Sequence, residues 1–228
     1  MDFQDFLQIV SHLDAENLPG EAAHNVMVPQ QRLEITKKIN FNEIKPRNAA
    51  VMMLFYPKDS ITHLVLIVRN SYKGVHSSQI AFPGGKYEQE DANFMQTALR
   101  ETYEEIGIHQ DKIEVLKAFT HLYIPPSNFM VYPFLGICRD EIAFYPDPSE
   151  VADIIELPLT TFLSDSIVVN TEMTTSYAKS IEVPAFKIED HIVWGATAMM
   201  LSELKIVLNS VLNKINFGMV SFVKSIAF

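Results

Sequence analysis

The chain's fold turns on Gly84-Gly85-Lys86 and, after a short polar interval, Arg100-Glu101-Thr102-Tyr103-Glu104-Glu105-Ile106-Gly107-Ile108. Met95, Ala98, Leu99, Thr102 and Ile106 recur at helical spacing and predict a buried stripe. Asp91 is the expected N-cap and Gly107 the expected terminator. On such a helix Glu101, Glu104 and Glu105 return to one side, because three and four residues complete about a turn. Three carboxylates crowded there repel one another, so helix stability alone disfavours them. A solvated acidic face with an Arg100–Glu104 ion pair is the plain reading of the glutamates taken alone. The flanking glycines shift the balance toward a ligand site. Gly84-Gly85 permit a tight backbone path and close approach to a ligand, and Gly107 ends the helix directly after the acids. A divalent cation bridging the carboxylates removes the repulsion, and hard oxygen donors suit Mg²⁺ or Mn²⁺. Arg100 can pair with a carboxylate and hold its rotamer.

Upstream, residues 49–56 and 62–68 are apolar, β-branched runs that predict two strands, with a turn at Pro57-Lys58-Asp59-Ser60. A polar loop, 69–78, leads into Gln79-Ile80-Ala81-Phe82-Pro83. Downstream, strands are expected at 113–120, 129–137, 151–157, 167–169, 181–186 and 191–194, and a last helix at 196–212. Near the start, Phe3, Phe6, Leu7 and Val10 mark a helix, and a second short helix is expected after Pro29. The expected organisation is an N-terminal helical extension (1–45), a main domain (46–213) and an apolar tail (214–228). Strands before, between and after two main helices predict an α/β fold with a mixed sheet. The tail carries Phe217, Met219, Val220, Phe222, Val223, Ile226 and Phe228. Docking on the body as a strand or short helix is its first expectation, and a homodimer contact the second.

The chain has 228 residues, a formal charge of −10, 48% hydrophobic and 20% charged residues. These values sit near the globular average and exclude a disordered polyelectrolyte or a fibrous repeat. The acid excess argues against non-specific binding of nucleic acid or an anionic membrane. Much of it is local: residues 84–108 hold Glu88, Glu90, Asp91, Glu101, Glu104 and Glu105 against only Lys86 and Arg100. A bound cation would invert that local field, which reconciles an acidic protein with an anionic substrate. The single cysteine, Cys138, excludes an intramolecular disulfide and a cysteine-based zinc cluster; its apolar surroundings predict buried filler. The N-terminus lacks a basic signal-peptide region, and no apolar run approaches the ~20 residues of a membrane span. A soluble, cytoplasmic protein without a membrane or nucleic-acid partner is the expectation.

Gly85 and the run from Arg100 to Ile108 together resemble the Nudix box: glycine, acid, arginine-glutamate, paired glutamates, glycine-aliphatic. The resemblance implies an α/β/α sandwich and hydrolysis of a nucleoside diphosphate linked to another group, with Mg²⁺ or Mn²⁺. It implies that Glu101, Glu104 and Glu105 hold the metal, with the Gly84 carbonyl as a further ligand. It implies that Glu104 or Glu105 takes up the proton of the attacking water instead of serving only as a ligand, and that Arg100 belongs to the same catalytic set. Three details depart from the common pattern: the gap from Gly85 to Arg100 is one residue longer, Asp91 replaces a glutamate, and Thr102 replaces a bulky aliphatic.

The longer gap and the segment Phe82-Pro83-Gly84-Gly85 are similar to the coenzyme A pyrophosphatase branch. So are Tyr123-Ile124-Pro125-Pro126-Ser127-Asn128-Phe129, Pro184-Ala185-Phe186 and the run from Ile192 to Ala198. Gly74 and Ser78 stand where that branch carries an arginine and a glycine, whereas His76 and Gln79 match residues seen there. The resemblance implies coenzyme A or an acyl-coenzyme A as the nucleotide substrate, cleaved to 4′-phosphopantetheine and adenosine 3′,5′-bisphosphate. His76, Gln79, Arg69, Lys73, Phe82 and Tyr123 are the candidate substrate-binding residues, with Arg69 or Lys73 supplying the cation missing at Gly74. Two alternatives stay open. One is a Nudix hydrolase of ADP-ribose, a dinucleotide or a damaged nucleotide. The other is a nucleotide-binding module without turnover, which the presence of all three glutamates disfavours.

Overall fold

Alternation along one long strand sets the layers. The computed structural model describes residues 1–29, 44–70, 79–173 and 181–226, with the side chains of the last helix described as far as Ile215. Its elements run α1 (Phe3–Ala15), α2 (Glu21–Asn25), β1 (Arg47–Lys58), β2 (Ile61–Arg69), β3 (Ile80–Ala81), β4 (Gly84–Lys86), α3 (Phe94–Ile106), β5 (Glu114–Ala118), β6 (Leu122–Ile124) and β7 (Phe129–Ile137). There follow β8 (Val151–Pro158), α4 (Leu159–Leu163), β9 (Val168–Met173), β10 (Ile181–Ile188), β11 (His191–Val193) and α5 (Gly195–Ile226). In β1, Ala50, Met52, Leu54 and Tyr56 pack with Ala98, Leu99 and Ile106 of α3. The intervening Ala49, Met53 and Phe55 pack on the other face with Phe6 and Leu13 of α1 and Leu201, Leu204 and Leu208 of α5. Period-two alternation thus feeds two cores, and the chain forms the expected α/β/α sandwich. Each such fully buried Leu or Phe contributes about 1.5–3 kcal/mol.

The main sheet has the order β3-β2-β1-β7-β5, with β4 on β1, β6 on β7 and β8 on β2. It is mixed, because β1 and β7 are parallel while the other pairs are antiparallel. β9, β10 and β11 form a separate antiparallel sheet. The segment from Ile80 to Lys86 pairs first with β2 and then with β1, and Met52 N–H donates to Pro83 O at 2.8 Å. This segment therefore fills the fork where β1 and β2 diverge, and it places the two glycines there.

Several boundaries differ from expectation. The first turn is only Asp59-Ser60, both at positive φ, because Pro57 and Lys58 stay in register with Thr62 and Ile61. Two-residue turns of that hand match strand twist. The strand expected over 113–120 stops at Ala118, and β6 begins only at Leu122. Phe119 N–H has by then turned to Pro133 O. A short helix, α2, follows Gly20 in a stretch whose sequence shows chiefly breakers, while the helix expected after Pro29 lies outside the described residues. The last helix does not stop near Leu212 but runs to Ile226, since no proline interrupts it. The 214–226 part of the tail is therefore a continuation of α5. By length and composition Gly195–Ile215 could cross a membrane, yet 67% of that window is buried inside the protein, as a core helix is.

The described N-terminal residues are tied to the body. Glu203 of α5 is fully buried. It accepts from Gly20 N–H (3.0 Å), Thr120 N–H (3.2 Å) and Thr120 Oγ1 (2.6 Å), and faces His24 Nε2 at 3.3 Å. Lys117 Nζ donates to the carbonyls of Leu13, Asp14 and Glu16 and so closes the C-terminus of α1.

Candidate active site

The helix α3 lies across the fork and delivers two carboxylates to it, Glu101 and Glu105, while Glu104 stays open to solvent on Arg100. Asn93, not Asp91, caps the helix: its Oδ1 accepts from Gln96 N–H at 3.0 Å. Asp91 is drawn away by Arg100, Thr97 and the Glu88 N–H. Gly107 ends the helix in the left-handed region, as expected. Ala98, Leu99, Thr102 and Ile106 form the buried stripe, but Met95 is 37% exposed. Glu105, between the inward-facing Thr102 and Ile106, turns into the fork in its place.

The glycines are steric requirements of this contact. Gly84 has φ +153, and a Cβ there would lie 2.3 Å from Ala50 O. A Cβ on Gly85 would lie 2.4 Å from the Glu101 carboxylate, so Glu101 rests directly on the Gly85 backbone. Gly84 N–H donates to Glu105 Oε2 at 2.7 Å, and Arg69 Nη1 donates to Glu105 Oε1 at 3.2 Å.

The three glutamates occupy unlike surroundings. The Glu105 side chain is 1% exposed, Glu101 13% and Glu104 54%. Burial pushes the Glu105 carboxyl up to about 8, against the opposing pull of the Gly84 N–H and Arg69. Burial also raises Glu101, against the opposing charge of Arg100. The negative charge of Glu150 raises both further. Glu150 precedes β8, where its carbonyl accepts from Asn70 N–H at 2.7 Å beside an irregularity in the β2–β8 register. It is a functional candidate that sequence reasoning missed. It is one acid among several between Asp140 and Glu150, and only the β2–β8 pairing carries it to the site.

Arg100 braces the arrangement. It grips Asp91 with Nε (2.9 Å) and Nη2 (3.0 Å) and donates to Lys86 O (3.0 Å), Glu101 (3.0 Å) and Glu104 (2.8 Å). The guanidinium beside Asp91 holds that carboxyl down to about 2. The expected Arg100–Glu104 pair is present, but Arg100 also orients Glu101 and locks the β4–α3 connection to the helix. It is thus a positioning residue.

The other candidates divide. Arg69 reaches the site through Glu105. Gln79 stands opposite Arg69, accepting its N–H at 3.0 Å through the main-chain carbonyl. Phe82 is 1% exposed and packs in the core on the sheet face opposite α3, so its expected contact with substrate is corrected: strand alternation turns it away from the site. Tyr123 lies on β6, its hydroxyl donating to Asn128 Oδ1 at 2.9 Å. Lys73 and His76 lie outside the described residues. Cys138 is buried, as expected, and burial pushes its thiol up to about 12.

Among the described residues no three His, Cys, Asp or Glu side chains are already gathered as a metal cage. The donor set nonetheless fits a divalent cation. Glu101 and Glu105 are carboxylates with their charge disfavoured by burial, both bear the field of Glu150, and the absent side chain of Gly85 leaves the Glu101 carboxylate its place against the backbone. A hard cation relieves that conflict through oxygen ligands.

A profile of the NUDIX domain matches residues 45–174. The chain is 32% identical over 158 residues to an uncharacterised Nudix hydrolase, NudL, of Photorhabdus laumondii subsp. laumondii, covering 69% of this chain and 83% of that protein. It is 32% identical over 167 residues to the mitochondrial Nudix hydrolase 15 of Arabidopsis thaliana, covering 70% of this chain and 58% of the plant protein. Among solved structures, a MutT/nudix family protein from Enterococcus faecalis has a TM-score of 0.48 at 18% identity, over 78% of this chain and 69% of that one.

Proposed function

The chain belongs to the Nudix hydrolase family, a family of pyrophosphate-hydrolysing enzymes, and from that premise we propose that it hydrolyses coenzyme A or an acyl-coenzyme A to 4′-phosphopantetheine and adenosine 3′,5′-bisphosphate. The observation that carries the catalytic part is the seating of Glu101 on Gly85 and Glu105 on the Gly84 N–H, with both carboxyls shifted upward. The coenzyme A part is supported by Phe82-Pro83-Gly84-Gly85, by the one-residue-longer gap to Arg100 and by the Tyr123–Phe129 segment.

Glu101, Glu104 and Glu105 would hold Mg²⁺ or Mn²⁺, which when bound neutralises phosphate oxygens and acidifies water. Arg100, fixed by Asp91, holds Glu101 and Glu104 on one nitrogen and so keeps the two carboxylates together. Glu104, open to solvent, or Glu105, held by the Gly84 N–H, would take up the proton of the attacking water. Arg69 adds the positive charge that an attacked pyrophosphate requires.

A second reading, hydrolysis of ADP-ribose or a dinucleotide, is favoured by Gly74 and Ser78, which replace the arginine and glycine of the coenzyme A branch. Product identification after incubation with coenzyme A, NADH, ADP-ribose and diadenosine polyphosphates, each with Mg²⁺ or Mn²⁺, separates the two. Adenosine 3′,5′-bisphosphate as the main product supports the proposal. Preferred cleavage of ADP-ribose or a dinucleotide replaces it with the second reading.

A further inference from the structure

Two arginines serve this site, and they are satisfied very differently. Arg100 uses Nε, Nη1 and Nη2, all on partners of α3 and its approach. Among the described residues Arg69 makes one side-chain contact, Nη1 to Glu105 Oε1 at 3.2 Å, longer than the ~2.7–2.9 Å of a well-formed charge-assisted bond. Its Nε is buried and has no acceptor among the described residues. Leaving such a donor unmade costs about 1–3 kcal/mol, and more beside a charge. Toward the described residues, then, the guanidinium of Arg69 is incompletely satisfied, and it has capacity for another acceptor.

Its position says which acceptor. Arg69 ends β2 at the fork, with Gln79 O on its own N–H and Val151 in register across β8. The Arg69 side chain is 24% exposed, so it remains partly accessible to solvent while Nη1 touches Glu105. A phosphate group drawn to Glu101 and Glu105 by a cation would meet this guanidinium, whose planar fork suits two phosphate oxygens. The same positive charge opposes a divalent cation at Glu105 until Arg69 moves.

We propose that Arg69 is a shared cation: it donates to Glu105 in the metal-free enzyme and passes to a phosphate oxygen of the substrate as Glu105 is released to a divalent cation. This rests on the pyrophosphate-hydrolase reading above and assigns Arg69 a coupling role within it. One residue then opposes metal binding and promotes phosphate binding, so the enzyme assembles its charges fully only when both ligands are present. A plain structural brace predicts no such opposition.

The test measures binding without turnover. Calorimetric titration of the full chain uses Mn²⁺ alone, and then inorganic pyrophosphate in the presence of Mg²⁺. In Arg69→Gln the Kd for Mn²⁺ is expected to fall several-fold while the Kd for pyrophosphate rises about 10-fold or more, the worth of a charge-assisted hydrogen bond. Arg69→Lys keeps the charge and loses the fork: Mn²⁺ affinity stays near wild type and pyrophosphate binding weakens several-fold. Unchanged or weaker Mn²⁺ binding in Arg69→Gln overturns the proposal, as does unchanged pyrophosphate binding. Should Arg69→Gln lose its folding transition, Arg69→Lys decides: weaker pyrophosphate binding with Mn²⁺ affinity retained supports the shared role, and any other pattern refutes it. A wild-type protein that binds pyrophosphate yet hydrolyses no nucleotide would overturn the function proposed above and leave the role of Arg69 to be judged by these titrations.

Discussion

Glu104 and Glu105 are neighbours in sequence and opposites in surroundings. Glu104 is open to solvent and fixed on Arg100, whereas Glu105 is enclosed and held by a backbone N–H. Glu104→Gln and Glu105→Gln are each expected to lower kcat by about 10²-fold or more, measured at saturating Mg²⁺. Near-wild-type turnover in both would remove the carboxylates from the chemistry. Glu105 also links stability to pH. Its carboxyl lies at about 8 in the folded, metal-free protein, above its ordinary value of 4.5. Its contribution is therefore complete below about 4.5 and is lost as pH rises through 8. Urea unfolding in chelator at pH 5, 7 and 9 should show wild type losing stability relative to Glu105→Gln as pH increases. Gly85→Ala places a methyl against the Glu101 carboxylate and is expected to cut kcat at least 10-fold, with the far-ultraviolet dichroism of the fold retained. These residues were legible in the sequence as a set, because helical spacing and flanking glycines are local signals. Their inequality was not, because burial belongs to the fork beneath the helix.

The element that carries the site is α3 with its approach through β4. The Asp91–Arg100 pair ties them, with Thr97 Oγ1 (2.8 Å) and the Glu88 N–H (3.0 Å) completing the Asp91 shell. Asp91→Ala removes two bonds of the Arg100 guanidinium, which keeps Glu101, Glu104 and the Lys86 carbonyl, and is expected to cost about 1–3 kcal/mol in urea unfolding. It should also lower kcat, because Glu101 and Glu104 lose the anchor of their common partner; unchanged kcat would show that Arg100 needs no brace. Asp91 and Asn93 are both good capping residues two positions apart, and local rules do not rank them. Arg100, reaching back from the second turn, took Asp91 and left Asn93 to cap the helix. The same limit explains Glu150, whose relation to the site exists only once β8 pairs with β2.

Across the whole molecule, the described N-terminal residues and α5 form one layer on the face of the sheet opposite α3. Glu203 joins Gly20, His24 and Thr120 at its centre, away from the carboxylate site. Glu203→Ala leaves those groups without their shared acceptor and is expected to destabilise by about 3 kcal/mol in urea unfolding, while kcat at temperatures where the protein remains folded stays near wild type. A parallel loss of kcat at such temperatures would show that the two layers are energetically coupled. The sequence by itself determined the α/β class and the position of the acidic helix, because apolar β-branched runs and 3.6-residue patterns are written in neighbouring residues. It also determined the Nudix box, since the box is contiguous. Only the tertiary structure decided that Phe82 faces away, that Arg100 is a brace, that Arg69 meets Glu105 and that Glu150 bears on the site. Those relations join separate elements across the fork between β1 and β2, where strand pairing sets the distances and burial sets the charge.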